Sequence, residues 1–255
     1  MGNESIVKLV KDRVSYINSL QLAAPTEADL REVFVRADET SANAVAGSTV
    51  SFVTRFPKLQ KYDVLNSTLL AQLAANFAFD RESETEDWYR KYTEVLENLG
   101  WVLQGFSFAK YNSASANFTM DKVVLNVIAA IATGGQLAVV SATLKALSEA
   151  AGDDKALTLL DTNGSSGPAG NFQISAATID NDLNVSMTLG AFYFKSTEHR
   201  TRFLFWSWSS TSVNMYYSAQ AVTLNDQIYA MVRQAVIDKL GNNAQKYVAD
   251  IQIGI

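Results

Sequence analysis

One histidine, no cysteine and scattered carboxylates are all the chain offers to hydrolytic or metal chemistry. His199 falls in an expected hairpin turn between Lys195 and Arg202. No G-x-S-x-G serine occurs in the sequence, so a Ser-His-Asp triad has no nucleophile. Gly164-Ser165-Ser166-Gly167 has the composition of a phosphate loop without its Gly-Lys-Ser/Thr ending or a preceding strand. Ser5-Ile6-Val7-Lys8 and Ser107-Phe108-Ala109-Lys110 match S-x-x-K, a two-residue pattern common by chance, and neither is joined by S-D-N or K-T-G. Asp161-Thr162-Asn163-Gly164 opens like a calcium loop but has glycine at the fourth position and Phe172 where the closing glutamate belongs. The missing cysteines remove disulfides, thiolate metal ligands and a thiol nucleophile. No cofactor or metal set is recognised. A glycosidase-type carboxylate pair is a spatial signal and stays open as the enzymatic reading.

Three features could serve binding instead. The turn Lys195, Arg200, Arg202 sets three fixed cations against Glu198, with His199 between them. It reads as a grip for an anionic headgroup or as a solvated hairpin turn. The aromatic run Phe203 to Trp208, containing Trp206 and Trp208 and followed by Met215-Tyr216-Tyr217, would wall an apolar pocket or simply fill the core. Val123–Ile131 and Leu137–Leu147 are nearly continuous apolar stretches, each short of the ~20 residues that span a bilayer. They are core helices or membrane-active ones. The carboxylates between Asp80 and Asp87 suit a helix N-terminus without needing a partner.

These features must be positioned by a chain of 255 residues that is 48% hydrophobic and only 18% charged, so much of it faces inward. A net charge of −5 argues against nucleic acid as a partner. The N-terminus is an amphipathic helix lacking a signal-peptide core, and Ile6 stands where myristoylation wants Ser or Thr. The expectation is one domain, 1–255, made as a soluble protein without a classical signal peptide.

Apolar spacing predicts helices over Met1–Leu20, from Thr26 to Ala37, over Asp63–Phe79 and from a Ser83–Glu86 capping box to Leu99. Gly47 to Phe56 is ambiguous between strand and connection. Trp101 to Phe108 has strand character. Thr119 is expected to cap a helix to about Ala132, Gly134-Gly135 to break it, and Gln136–Ala150 to follow. A short helix at Asp154–Leu160 and a loop to Asn171 precede four strands: Phe172–Ile179, Leu183–Lys195, Arg202–Ser209 and Val213–Val222. A last helix spans Asp226–Leu240, and the tail from Tyr247 is a closing strand or a helix remnant. The fold class expected is α+β: an antiparallel β-meander with helices packed on both faces and a mainly helical N-terminal half. Arg202–Ser209, apolar on both faces, is expected in mid-sheet.

The segments Trp101–Phe108, Phe118–Leu125, and Phe205–Ser209 ahead of Met215-Tyr216-Tyr217 resemble the Evf-type virulence factors of insect-associated bacteria. That resemblance implies an α/β fold, a part in insect-gut persistence or toxicity, and membrane association aided by a fatty-acylated cysteine. The chain has no cysteine, so thioester acylation is ruled out here. A second similarity, to cytolytic Cyt-type toxins, implies apolar helices that swing from a sheet into lipid. Together they imply a non-enzymatic virulence or insecticidal-type toxin, released to act on host membranes or lipid, with a host receptor as a further candidate. A hydrolase acting on lipid or glycan, or a carrier of an apolar ligand, is the alternative. Lys195, His199, Arg200, Arg202, Trp206 and Trp208 are the expected lipid contacts.

Overall fold

The computed structural model describes residues 3–24, 39–53, 56–165, 167–198 and 200–254. The helix expected from Thr26 to Ala37 lies outside them. Helix α1 (Asn3–Ser19) carries Ile17 into the interior. The ambiguous stretch is a hairpin, β1 (Ser41–Val45) and β2 (Ser48–Phe52), turning through Ala46 at φ 48°. Both strands are buried on both faces although half their side chains are polar, which is why hydrophobic periodicity could not name them.

Several of their polar groups are matched from within, while the Asn43 amide and the Thr49 hydroxyl find no partner among the described residues. On helix α2 (Lys58–Ala78), Gln72 donates to Val45 O at 2.9 Å and Ser48 Oγ at 3.0 Å, and accepts from Gly47 N at 3.2 Å. Buried polar groups matched in this way avoid the roughly 1–3 kcal/mol that each unmatched one costs.

Helix α3 (Thr85–Asn98) follows. The expected capping box is instead an Asp80 turn: its Oδ1 accepts from Ser83 N at 2.8 Å, and Glu84 reaches back to Asp80 N at 2.9 Å. The strand expected over Trp101–Phe108 shrinks to β3 (Trp101–Val102), with β4 (Ala109–Lys110) and β5 (Asn117–Phe118) after it. Three helices come next: α4 (Met120–Ala129), α5 (Gly134–Glu149) and α6 (Lys155–Gly164). The expected loop from Asp161 to Asn171 is thus helix as far as Gly164 and strand from Ala169. The long strands are β6 (Ala169–Ile179), β7 (Val185–Ser196) and β9 (Val213–Leu224), with β8 (Trp208–Ser209) between the last two. Helix α7 (Asp226–Leu240), the short α8 (Asn243–Tyr247) and β10 (Val248–Ile251) close the chain, so the tail is a strand.

The fold is α+β, on a mixed sheet ordered β10-β1-β2-β6-β7-β9-β3, with β4 also on β9. Only β2–β6 is parallel; β6, β7 and β9 form the antiparallel meander. Along the outer edge of β9, Gln220 bridges the gap between β3 and β4, accepting from Gln104 N at 2.8 Å and donating to Gln104 O at 2.9 Å. Helices cover both faces. Tyr89 of α3 bonds Asn171 on one side of β6, while α4 and α5 lie on the other. Helices α1 and α7 pack outside α2.

The expected mid-sheet strand Arg202–Ser209 is a correction. Strands β7 and β9 pair directly from Val185↔Leu224 to Ser196↔Val213 and leave no slot. Phe203 to Phe205 form a turn, and β8 pairs only with β5. Alternating apolar residues reported burial, which a turn pressed on a sheet satisfies as well as a ladder does. Phe203 packs on Phe172 and Phe194, with centroids 5.0 and 5.5 Å apart.

Candidate functional site

Helices α4 and α5 form a hairpin laid across the sheet. From Val123 to Leu144 no residue is charged. Val123, Val124, Ile128, Val139, Val140 and Leu144 face inward. Ala129, Ala130, Ile131, Gly134, Gly135, Ala138 and Ser141 remain exposed at the tip and outer side. Gly190 of β7 provides a notch for Ile128: a Cβ there would lie 2.8 Å from Ile128 Cδ1.

The hairpin turns at Ala130–Thr133 rather than at the glycine pair, which forms the first turn of α5. Thr133 and Gln136 make a capping box, with Gln136 N donating to Thr133 Oγ1 at 3.3 Å and Thr133 N to Gln136 Oε1 at 3.0 Å. The same glutamine ties the tip to the sheet. Its Nε2 donates to Ala176 O at 2.9 Å, and Thr188 Oγ1 donates to its Oε1 at 3.1 Å. Two turns further along, Ser51 and Thr143 share a buried hydroxyl contact of 2.9 Å. The T-x-x-Q signature was present in the sequence; reading the glycines as a break concealed it. Thr119, the expected cap of α4, makes no capping bond.

The turn after β7 holds the open end of the hairpin. Arg202 donates to the final carbonyls of α5, to Ala150 O at 3.0 Å and Ser148 O at 2.7 Å. A guanidinium there complements the helix dipole. Arg202 N donates to Asp161 Oδ2 at 2.7 Å, while Leu204 O accepts from Asp121 N, at the start of α4, at 3.0 Å. Burial pushes the Asp161 carboxyl above its usual value, against the pull of the Arg202 amide and charge. This short turn therefore clasps both ends of the hairpin.

The sequence-expected lipid contacts are thus dispersed. Arg202 is turned inward onto α5. Trp208 is 1% exposed, its indole N–H bonded to Phe203 O at 2.8 Å. Lys195 is exposed but shares a shallow pocket with Glu84, Glu86 and Asp87. His199 lies outside the described residues. Arg200 and Trp206 do come together: the guanidinium, paired with Glu198, sits 4.4 Å from the indole centroid, and Trp206 is 43% exposed. Asp161 to Gly164 lie in helix α6, so the segment that opens like a calcium loop is helical instead. Among the described residues no group of His, Asp or Glu is arranged to hold a metal ion.

Arg202→Ala is expected to lower unfolding stability by about 1–3 kcal/mol, the range for charge-assisted bonds to carbonyls. Urea unfolding checks it. A loss below a few tenths would mean that the clasp is idle.

No protein-family model and no curated protein matches this chain. Among solved structures it is similar to one described as a delta-endotoxin, at 13% identity and a TM-score of 0.38, covering 79% of this chain and 90% of that one. It is also similar to the Evf virulence factor, a member of the family the sequence resembles, at 13% identity and a TM-score of 0.36, covering 93% of this chain and 88% of that one.

Proposed function

We propose that the chain is a non-enzymatic protein of virulence or toxin type that engages host membrane lipid by releasing the α4–α5 hairpin. The observation that supports this most is the uncharged hairpin, Val123 to Leu144, tied to the sheet by few hydrogen bonds and otherwise by apolar packing, which lipid can replace. Release would exchange the buried contacts of Val123, Val124, Ile128, Val139, Val140 and Leu144 for contacts with lipid. Among the described residues no helix is long and apolar enough to cross a membrane. Helices of 10 and 16 residues reach about 15 and 24 Å, less than the ~30 Å hydrocarbon core. The hairpin would therefore enter the interface and upper leaflet rather than span the bilayer.

The exposed Arg200–Trp206 pair fits the headgroup level, where amphipathic rings and cations are favoured. Lys195, which shares a pocket with Glu84, Glu86 and Asp87 on the other face of the sheet, is left out of this contact. In this reading the protein is released from its producing cell, and a host receptor would concentrate it on the target.

Release should be governed by Gln136. Gln136→Ala removes both of its ties to the sheet and the side-chain half of the capping box, so dye leakage from vesicles of anionic and zwitterionic phospholipid is expected to quicken several-fold. Wild-type protein that neither floats with such vesicles nor empties them would sink the proposal. Leakage by Gln136→Ala no faster than wild type would separate it from this hairpin.

A further inference from the structure

On the opposite face of the sheet, α3, the 105–108 loop and strands β7 and β9 enclose an open groove of about 910 Å³. Its wall is a continuous run of rings. Tyr89 packs against Phe106 and Phe108, each with centroids 4.9 Å away; Phe108 meets Tyr193 edge-on at 5.0 Å; Tyr193 and Tyr216 stack at 4.6 Å, 8° from parallel. Tyr193, Tyr216, Phe106 and Phe108 are half-buried, so their remaining surface faces the groove. The volume is within the usual range for small-ligand sites.

The rim is acidic. Glu86, Glu94 and Glu97 of α3 line it, with Arg90 on the turn between Glu86 and Glu94. The neighbouring cations are already engaged: Arg90 pairs with Asp87 at 2.6 Å, Lys91 with the rim's own Glu94 at 3.1 Å, and Lys195 shares a pocket with Glu84, Glu86 and Asp87. Glu86 and Glu97 have no ion pair among the described residues. Burial, the neighbouring Tyr216 and then the charge of Glu86 raise the Tyr193 phenol, so this carboxylate acts on the ring wall itself.

Ring faces carry negative potential and attract desolvated cations, which is how aromatic sites recognise quaternary ammonium groups. An apolar ligand would use the rings but leave the carboxylates idle. An anion would be repelled by them. We propose that this groove binds a soluble organic cation bearing a quaternary ammonium group, seated on Tyr193 and Tyr216 and balanced by Glu86. The ligand is free rather than a lipid headgroup, because the groove opens on the face opposite the α4–α5 hairpin. The inference therefore stands whether or not the hairpin enters lipid.

Choline is the minimal probe, and its neutral isostere 3,3-dimethylbutan-1-ol is the control. Saturation-transfer NMR on the full chain is expected to show choline bound about tenfold more tightly than the isostere. Glu86→Gln, an exposed change that leaves the rings in place, should weaken choline several-fold and the isostere hardly at all. Tyr193→Ala should weaken both. Equal binding of choline and isostere, no choline binding, or choline binding indifferent to both substitutions would overturn the proposal. Capture by phosphatidylcholine vesicles without binding of free choline would overturn the soluble assignment.

Discussion

The double variant Ser51→Cys/Thr143→Cys is expected to stop vesicle leakage when oxidised and to recover it on reduction. The two hydroxyl oxygens are 2.9 Å apart in the interior, one on β2 and one on α5, so the Cβ atoms that carry them lie in or near disulfide range. No other cysteine exists in the chain to mispair. The bridge would pin the hairpin to the sheet where β2 and α5 already share a side-chain hydrogen bond. It also closes a loop of 92 residues, worth about 4–5 kcal/mol in the chain-entropy account, so the oxidised protein should melt higher than its reduced form. Raised melting temperature with lost leakage identifies restraint rather than misfolding as the cause. Leakage that is the same with the bridge closed would mean that the two helices are core and nothing more.

The largest stability effect is expected at Arg233→Ala. Arg233 of α7 grips Asp63 of α2 with a two-pronged fork, Nε to Oδ1 and Nη2 to Oδ2 both at 2.8 Å, and the Asp63 side chain is 2% exposed. Removing the guanidinium leaves a carboxylate in the interior without its partner, a change that destabilises by about 3–5 kcal/mol. Burial already pushes the Asp63 carboxyl above its usual 3.8, outweighing Arg233. Without Arg233 that rise should grow. A folded-state value above the unfolded one favours folding at low pH, and the advantage is lost as pH rises through the folded value. The variant should therefore be weakest at neutral pH and regain part of its deficit in acid. Denaturant titrations at several pH values test this; a deficit independent of pH would show that Asp63 stays ionised throughout.

What could be read from sequence follows the physics of each segment. Helix α7 matched its expected bounds because caps and apolar spacing agree there: Asn225 accepts from Ile228 N at 3.0 Å, and Gly241 ends the helix at φ 51°. Strands β6, β7 and β9 were legible through long alternation between clear turns. The β1–β2 hairpin was not, because its many polar residues are buried all the same, Ser41, Ser48 and Ser51 through hydrogen bonds to Lys61, Gln72 and Thr143, residues distant in sequence. Arg202 offered no sign of its partner either. A basic residue in a predicted turn looks solvated, and only tertiary structure brings the carbonyl end of α5 to it. The aromatic groove was equally hidden: Tyr89, Phe106, Tyr193 and Tyr216 come from four separated segments and form a surface only when α3 lies across the meander.

The outer margin of β9 has a consequence for the protein at high concentration. An exposed strand edge is a template on which another chain can add its own strand, and proteins guard against this with short covers, bulges or charge. Here the cover is β3 at one end and β4 at the other, each of only two residues, with the Gln220 amide imitating a peptide group between them. A side chain thus completes a ladder that the backbone leaves interrupted. Any chain seeking to extend the sheet on this side must first displace three separate contacts, so self-association by strand addition is opposed there without a barrier of like charges.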